Sequence, residues 1–87
     1  MTILKPSTAG TMQSSDLIVL VEPAERLEIQ IESTVKRQFE HLIRQRVEAV
    51  LERHAVTRAL VRVSDRGALD YAIEARVDTA LRRAAEV

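Results

Sequence analysis

The sequence predicts an α+β domain: two β-hairpins forming a roughly four-stranded antiparallel sheet, one long helix over about 34–55 packed on a face, a short C-terminal helix, and a mobile N-terminal arm. Three observations predict it. Leu17-Ile18-Val19-Leu20-Val21 is a short run rich in branched apolar residues, and Leu27-Glu28-Ile29-Gln30-Ile31-Glu32 alternates apolar with polar at a period of two. Val35, Phe39, Leu42, Ile43, Val47, Val50 and Leu51 then return at steps of three and four, the stripe of an amphipathic helix. Ala59, Val61 and Val63 resume the alternation beyond it. These patterns divide the chain into an arm, residues 1–15, and a single domain, residues 16–87.

Residues 1–15 hold Pro6, Gly10 and a cluster of Ser and Thr with no apolar period, so an extended or mobile arm is expected there. Leu17 to Val21 suits a strand buried on both faces, and Pro23 ends it. The connection to Leu27 is short enough for an antiparallel hairpin. Ser33 or Thr34 is placed to cap the long helix by accepting hydrogen bonds from its first amides. If the stripe buries Phe39 against the sheet, truncating it to alanine costs about 3–5 kcal/mol. A third strand runs from Ala59 to the turn Asp65-Arg66-Gly67, where Gly67 supplies a positive φ. Residues 70–77 fit either a strand or a helix. The strand is preferred, because a helix stacks Glu74 under Asp78 at a repulsive spacing of four. That leaves Thr79 to Ala85 as the short C-terminal helix.

Composition narrows the function. A chain of 87 residues makes one domain and buries only about 60–65% of its unfolded surface, which leaves little room for a separate catalytic cleft. Thirteen basic residues balance thirteen acidic ones, and there is one Phe, one Tyr and no Trp. Neither a positive field nor stacking platforms are available for nucleic acid. The absence of cysteine removes disulfides, thiolate metal sites and a protein thiol nucleophile, so any thioester chemistry needs a borrowed sulfur. The longest apolar run is far below the ~20 residues of a spanning helix, and a cytoplasmic chain with no membrane partner is expected.

The segment Ala9-Gly10-Thr11-Met12-Gln13-Ser14-Ser15-Asp16, the strand after it, Ser33 to Phe39, and the hexad Asp65-Arg66-Gly67-Ala68-Leu69-Asp70 together resemble the acyl carrier (gamma) subunit of bacterial citrate lyase, over nearly the whole chain. The resemblance implies a non-catalytic carrier. It implies covalent attachment of phosphoribosyl dephospho-coenzyme A to Ser14 through a phosphodiester, installed by a prosthetic-group transferase. The partners it implies are the acyltransferase (alpha) and lyase (beta) subunits, to which the carrier presents acetyl and citryl thioesters in citrate fermentation. Tethering raises the effective concentration of the thioester at each partner site. Ser15 stands where that family more usually has glycine, and it offers a second hydroxyl beside Ser14. The carriers of malonate decarboxylase and citramalate lyase are the nearest alternatives. A small adaptor without a prosthetic group is the alternative of a different class.

The residues themselves give Ser14 no activating base, which suits a substrate of another enzyme better than a nucleophile of its own. His41 and His54 are thirteen residues apart and do not make a helical zinc pair. Asp65 and Asp70 bracket a turn, where aspartate ordinarily bonds nearby amides. Eleven of the thirteen basic residues are arginine, and Arg58, Arg62 and Arg66 are candidates for contacting a pyrophosphate, against the plainer reading of a solvated surface.

Overall fold

The branched run Leu17–Glu22 does form a central strand, and its neighbours follow from which faces need cover. The structure is a computed structural model that describes residues 1–34 and 37–86. Its elements are β1 (Ser7–Gly10), β2 (Leu17–Glu22), β3 (Leu27–Ser33), a 3₁₀ turn (Arg37–Phe39), α1 (Glu40–Arg53), β4 (Ala59–Asp65) and α2 (Asp70–Ala85). The α+β class, the four-stranded sheet, the long helix and the C-terminal helix are as the sequence predicts.

The strand order is β1-β2-β4-β3. β1 and β2 pair antiparallel with Ala9 opposite Val19, β2 and β4 antiparallel with Val19 opposite Val63, and β3 and β4 parallel with Ile29 opposite Val61. The expected sheet of two antiparallel hairpins is therefore corrected to a mixed sheet. β2 and β3 do run in opposite directions, but β4 lies between them. The cause is α1: a long helix between two strands acts as a crossover, which returns the chain parallel to the strand it left.

Both helices cover one face. Leu17, Val19 and Val21 of β2, and Ala59, Val61 and Val63 of β4, are buried there with Ile43, Val47, Val50 and Leu51 of α1 and Ile73, Val77, Ala80, Leu81 and Ala84 of α2. The other face carries Ile18, Leu20, Leu60 and Arg62, partly or fully exposed. The expectation that β2 is buried on both faces is thus corrected to burial on one, with alternate residues half-exposed.

Residues 70–77, preferred as a strand, are helix. Burial of Ile73, Val77, Leu81 and Ala84 along one stripe outweighs the Glu74–Asp78 repulsion, which is itself offset: Glu74 lies 3.6 Å from Arg46 of α1, and Asp78 pairs with His54 at the end of α1 and, one turn on in its own helix, with Arg82. The fourth strand comes instead from the presumed arm. Ser7–Gly10 joins the sheet edge, Ile3 and Ala9 are buried, and the amides of Leu4 and Lys5 donate to the carbonyl of Ala84 at the end of α2. The arm of residues 1–15 is corrected to a strapped terminus, an edge strand and a loop, residues 11–16.

Two further details differ. Ser33 lies in β3 and donates to the Asp65 carboxylate at 2.9 Å, Thr34 precedes the 3₁₀ turn, and Phe39 is the residue at the start of α1, without a side-chain cap. Phe39 and Leu42 are 43% and 47% exposed, so they leave the buried stripe, which begins at Ile43. Val35 and Lys36, the start of the helix expected over 34–55, lie outside the described residues.

Candidate functional site

Gly10 closes β1 and makes the loop that follows possible. Its φ is +104°, and a Cβ built there lies 1.8 Å from the carbonyl oxygen of Leu17. Only a residue without a side chain lets β1 and β2 approach this closely. Thr11 then donates its amide to the same Leu17 carbonyl at 3.0 Å. Six residues, Thr11 to Asp16, span the gap to β2, with Met12, Gln13, Ser14 and Ser15 exposed.

Within the loop, the Asp16 amide donates to the carbonyl of Gln13 at 3.2 Å, which makes Gln13–Asp16 a tight turn with Ser14 and Ser15 at its centre. Ser15 has φ +64°. A positive φ at the third position of a turn is where glycine is ordinarily favoured, and this is the place where the resemblance noted above more usually has glycine. Ser15 therefore occupies the left-handed region at some conformational cost.

Asp16 is the anchor. One carboxylate oxygen accepts from its neighbour's amide, Leu17, at 2.8 Å, and the other accepts from the Thr11 hydroxyl. Arg76 of α2 grips both oxygens with its guanidinium fork, Nε at 3.1 Å and Nη2 at 2.8 Å, across 60 residues of sequence. The Arg76 hydrogen bond, reinforced by Thr11 and the Leu17 amide, holds the Asp16 carboxyl down to about 2. Asp16 is thus ionised throughout the physiological range and ties the loop to the helix layer.

The hexad supports the same loop from the opposite side. Asp65 is 2% exposed and accepts from the amides of Gly67 and Ala68 at 3.1 and 2.9 Å, as well as from Ser33, which is the turn role expected for it. The turn it builds presents Arg66, whose carbonyl accepts from the Ser15 amide at 2.8 Å and whose amide donates to the Asp16 carbonyl at 2.9 Å. Two segments that looked separate in sequence, the serine loop and the hexad, are one hydrogen-bonded unit. Asp70 does not share it; it pairs with Arg46 at 3.0 Å.

Of the three arginines considered for phosphate, only Arg66 belongs to the serine loop's hydrogen-bonded unit, through its backbone to Ser15 and Asp16. Arg58 donates to the Glu25 carbonyl near the start of β4, and Arg62 lies mid-strand opposite Leu20 and Gln30 on the helix-free face. His41 is exposed on α1, and His54 pairs with Asp78. No group of three or more metal-binding side chains occurs among the described residues. Nor, among them, is any helix long and apolar enough to cross a membrane. Arg76 is the residue that sequence reasoning missed: nothing local links it to Asp16, and reading residues 70–77 as a strand misplaced its surroundings.

The acyl carrier family model described as malonate decarboxylase delta subunit (MdcD) matches residues 4–84. A citrate lyase acyl carrier protein of Treponema denticola is 43% identical over 86 residues, covering 99% of both chains. One from Vibrio cholerae is 47% identical over 89 residues, covering all of this chain and 91% of that one. Among solved structures, a chain of a Pseudomonas malonate decarboxylase hetero-tetramer in complex with malonate shares the fold with a TM-score of 0.68 at 22% identity, covering 95% of this chain and 91% of that one. A match over residues 4–84, with relatives above 40% identity along the full length, leaves one conclusion: the chain belongs to the family of citrate lyase and malonate decarboxylase acyl carrier proteins.

Proposed function

We propose that this protein is the acyl carrier subunit of citrate lyase and that it bears phosphoribosyl dephospho-coenzyme A on Ser14. The observation that carries the reading is the exposed serine at the centre of a turn clamped at both ends, in a chain whose relatives are named citrate lyase acyl carrier proteins. The residues present fit such a group. Ser14 is exposed in the loop joining the edge strand to β2, the neighbouring Ser15 and Asp16 are hydrogen-bonded to the backbone of an exposed arginine, Arg66, whose charge is opposite to that of a phosphodiester, and the anchor Asp16 has its charge already engaged by Arg76.

When attached, the group supplies the thiol that the chain lacks and holds acetyl or citryl as a thioester. The chain itself does three things. It offers the Ser14 hydroxyl to a transferase, it holds the surrounding backbone, and it presents what is attached to the acyltransferase and lyase subunits, where the bond-making residues lie. During attachment the Ser14 Oγ–P bond forms as a P–O bond of a phosphoric-anhydride donor breaks. The electron pair leaves with the donor's departing phosphate oxygen, and the hydroxyl proton passes to a base of the transferase.

Intact mass and peptide mapping of the protein from its native cells test this directly. The expected result is one adduct of the group's mass on the peptide containing Ser14. An adduct confined to Ser15 moves the site, and an unmodified protein in cells with an active transferase removes the carrier reading in favour of an adaptor. A second reading, the carrier of malonate decarboxylase, is favoured by the description of the matching family and by the shared fold. Reconstitution with citrate lyase partners and with malonate decarboxylase partners separates the two, because substrate choice resides in the partners.

A further inference from the structure

We propose that Arg76 is a positioning residue for modification: by clamping Asp16 it keeps the Ser14 turn in the one conformation that the prosthetic-group transferase binds, so that the enzyme reads a folded loop and not a flexible peptide. This inference rests on the carrier reading above.

The geometry carries it. Loops that serve as substrates for other enzymes gain access from exposure and lose affinity from disorder, because the apparent dissociation constant rises as the competent fraction falls. The Ser14 turn exposes Gln13, Ser14 and Ser15, yet three attachments fix it: Gly10 packed against the Leu17 carbonyl, the Ser15 and Asp16 backbone against Arg66, and the Asp16 carboxylate in the Arg76 fork. The first comes from the sheet and the second from the turn that follows β4. The third comes from α2 and is the one that binds the loop to the helix layer. The residue just before the clamped Asp16, Ser15, has φ +64°, a conformation that an unrestrained serine avoids. Arg76 touches neither Ser14 nor any reacting atom in these contacts, so its effect is confined to how often the turn is in place.

That confinement predicts a particular kinetic signature. Removing the fork lowers the competent fraction, which raises KM for the protein substrate by about tenfold and leaves kcat within about twofold, since a saturating enzyme captures the correct conformer. Tenfold corresponds to about 1.4 kcal/mol.

The test uses the full chain made without its transferase, with apo state checked by mass. Initial rates of modification by the transferase and its anhydride donor are measured against carrier concentration for wild type, Arg76→Met, Arg76→Lys and Arg82→Met. The last variant removes an ion pair from the same helix, to Asp78, away from the loop, and controls for loss of helix stability. The expected order of KM is wild type equal to Arg82→Met, then Arg76→Lys, then Arg76→Met, with kcat unchanged. A KM for Arg76→Met equal to wild type overturns the proposal, as does a fall in kcat at constant KM. If Arg76→Met does not fold, Arg76→Lys and Thr11→Val decide, since each weakens the hold on Asp16 by one part; unchanged KM in both overturns it. A wild-type protein that gains no mass on Ser14 is a different failure: it removes the carrier reading and this proposal with it, whereas a normal wild type with an indifferent Arg76 removes this proposal alone.

Discussion

Gly10→Ala measures how much of the fold depends on one close approach at the base of the serine loop. A methyl group at that position meets the Leu17 carbonyl oxygen at 1.8 Å, where Cβ atoms essentially never come within 3.0 Å of another atom. The two strands have to open by roughly 1.2 Å, the difference of those distances, and both contacting atoms are backbone and cannot swing aside. Opening by that much lengthens the Thr11 amide bond to Leu17, now 3.0 Å, beyond hydrogen-bonding range and loosens the neighbouring Gly10–Ile18 pairing. One or two lost backbone hydrogen bonds cost about 1–3 kcal/mol, and an alanine at φ +104° adds about 1–3 kcal/mol of strain. A total of about 2–6 kcal/mol is expected, from a domain whose length corresponds to a stability of about 4–13 kcal/mol. Gly67→Ala is the internal comparison, because Gly67 also has positive φ, +91°, but nothing lies within 4 Å of its added methyl group. It bears the strain alone and loses about 1–2 kcal/mol. Urea melts of both variants at one temperature supply the two values. If Gly10→Ala loses less than about 1 kcal/mol, or no more than Gly67→Ala, the steric argument is wrong.

Ser14→Ala is expected to abolish citrate cleavage by the reconstituted complex while shifting stability by less than ~0.5 kcal/mol, as for an exposed residue; full activity would show that the attachment site is elsewhere. Leu51→Ala, at 2% exposure, is expected to cost about 2–5 kcal/mol, and Phe39→Ala, at 43%, about 1 kcal/mol, so melts showing the reverse order would refute the observed helix face. Acid should weaken the fold through Asp16 and Asp78. Both carboxyls are depressed in the folded protein, so their stabilisation is complete above the unfolded value near 4 and is lost as pH falls through the folded ones, about 2 for Asp16. The Asp16 part, discounted for solvent screening, is of order 1 kcal/mol and should shrink in Arg76→Met, which keeps only the Thr11 and Leu17 hydrogen bonds to the carboxylate; an acid transition equally steep in that variant and in wild type would contradict it.

Local chemistry made much of this protein legible from its residues alone. The α+β class, β2, β3, β4 and the body of α1 follow from periods of two and of three to four. The turn at Asp65 follows from the habit of aspartate to bond nearby amides, and the family from the serine segment and hexad taken together. What local chemistry left open depended on partners distant in sequence. Whether residues 70–77 were strand or helix turned on Arg46 and His54 offsetting the charges of Glu74 and Asp78, and on a core stripe that only the packed helix buries. Ser7–Gly10 has no apolar period of its own; it is a strand because β2 offers it an edge and α2 accepts the Ser7 hydroxyl and donates to Thr8 through Arg83. The serine segment and the hexad, two motifs in sequence, become one site only through the Ser15–Arg66–Asp16 hydrogen bonds and the Arg76 fork. Periodicity reports which way a side chain faces, since that is set by bonds within a few residues. Which segment meets it from across the fold is set by the packing of the whole chain, and that was decided in three dimensions.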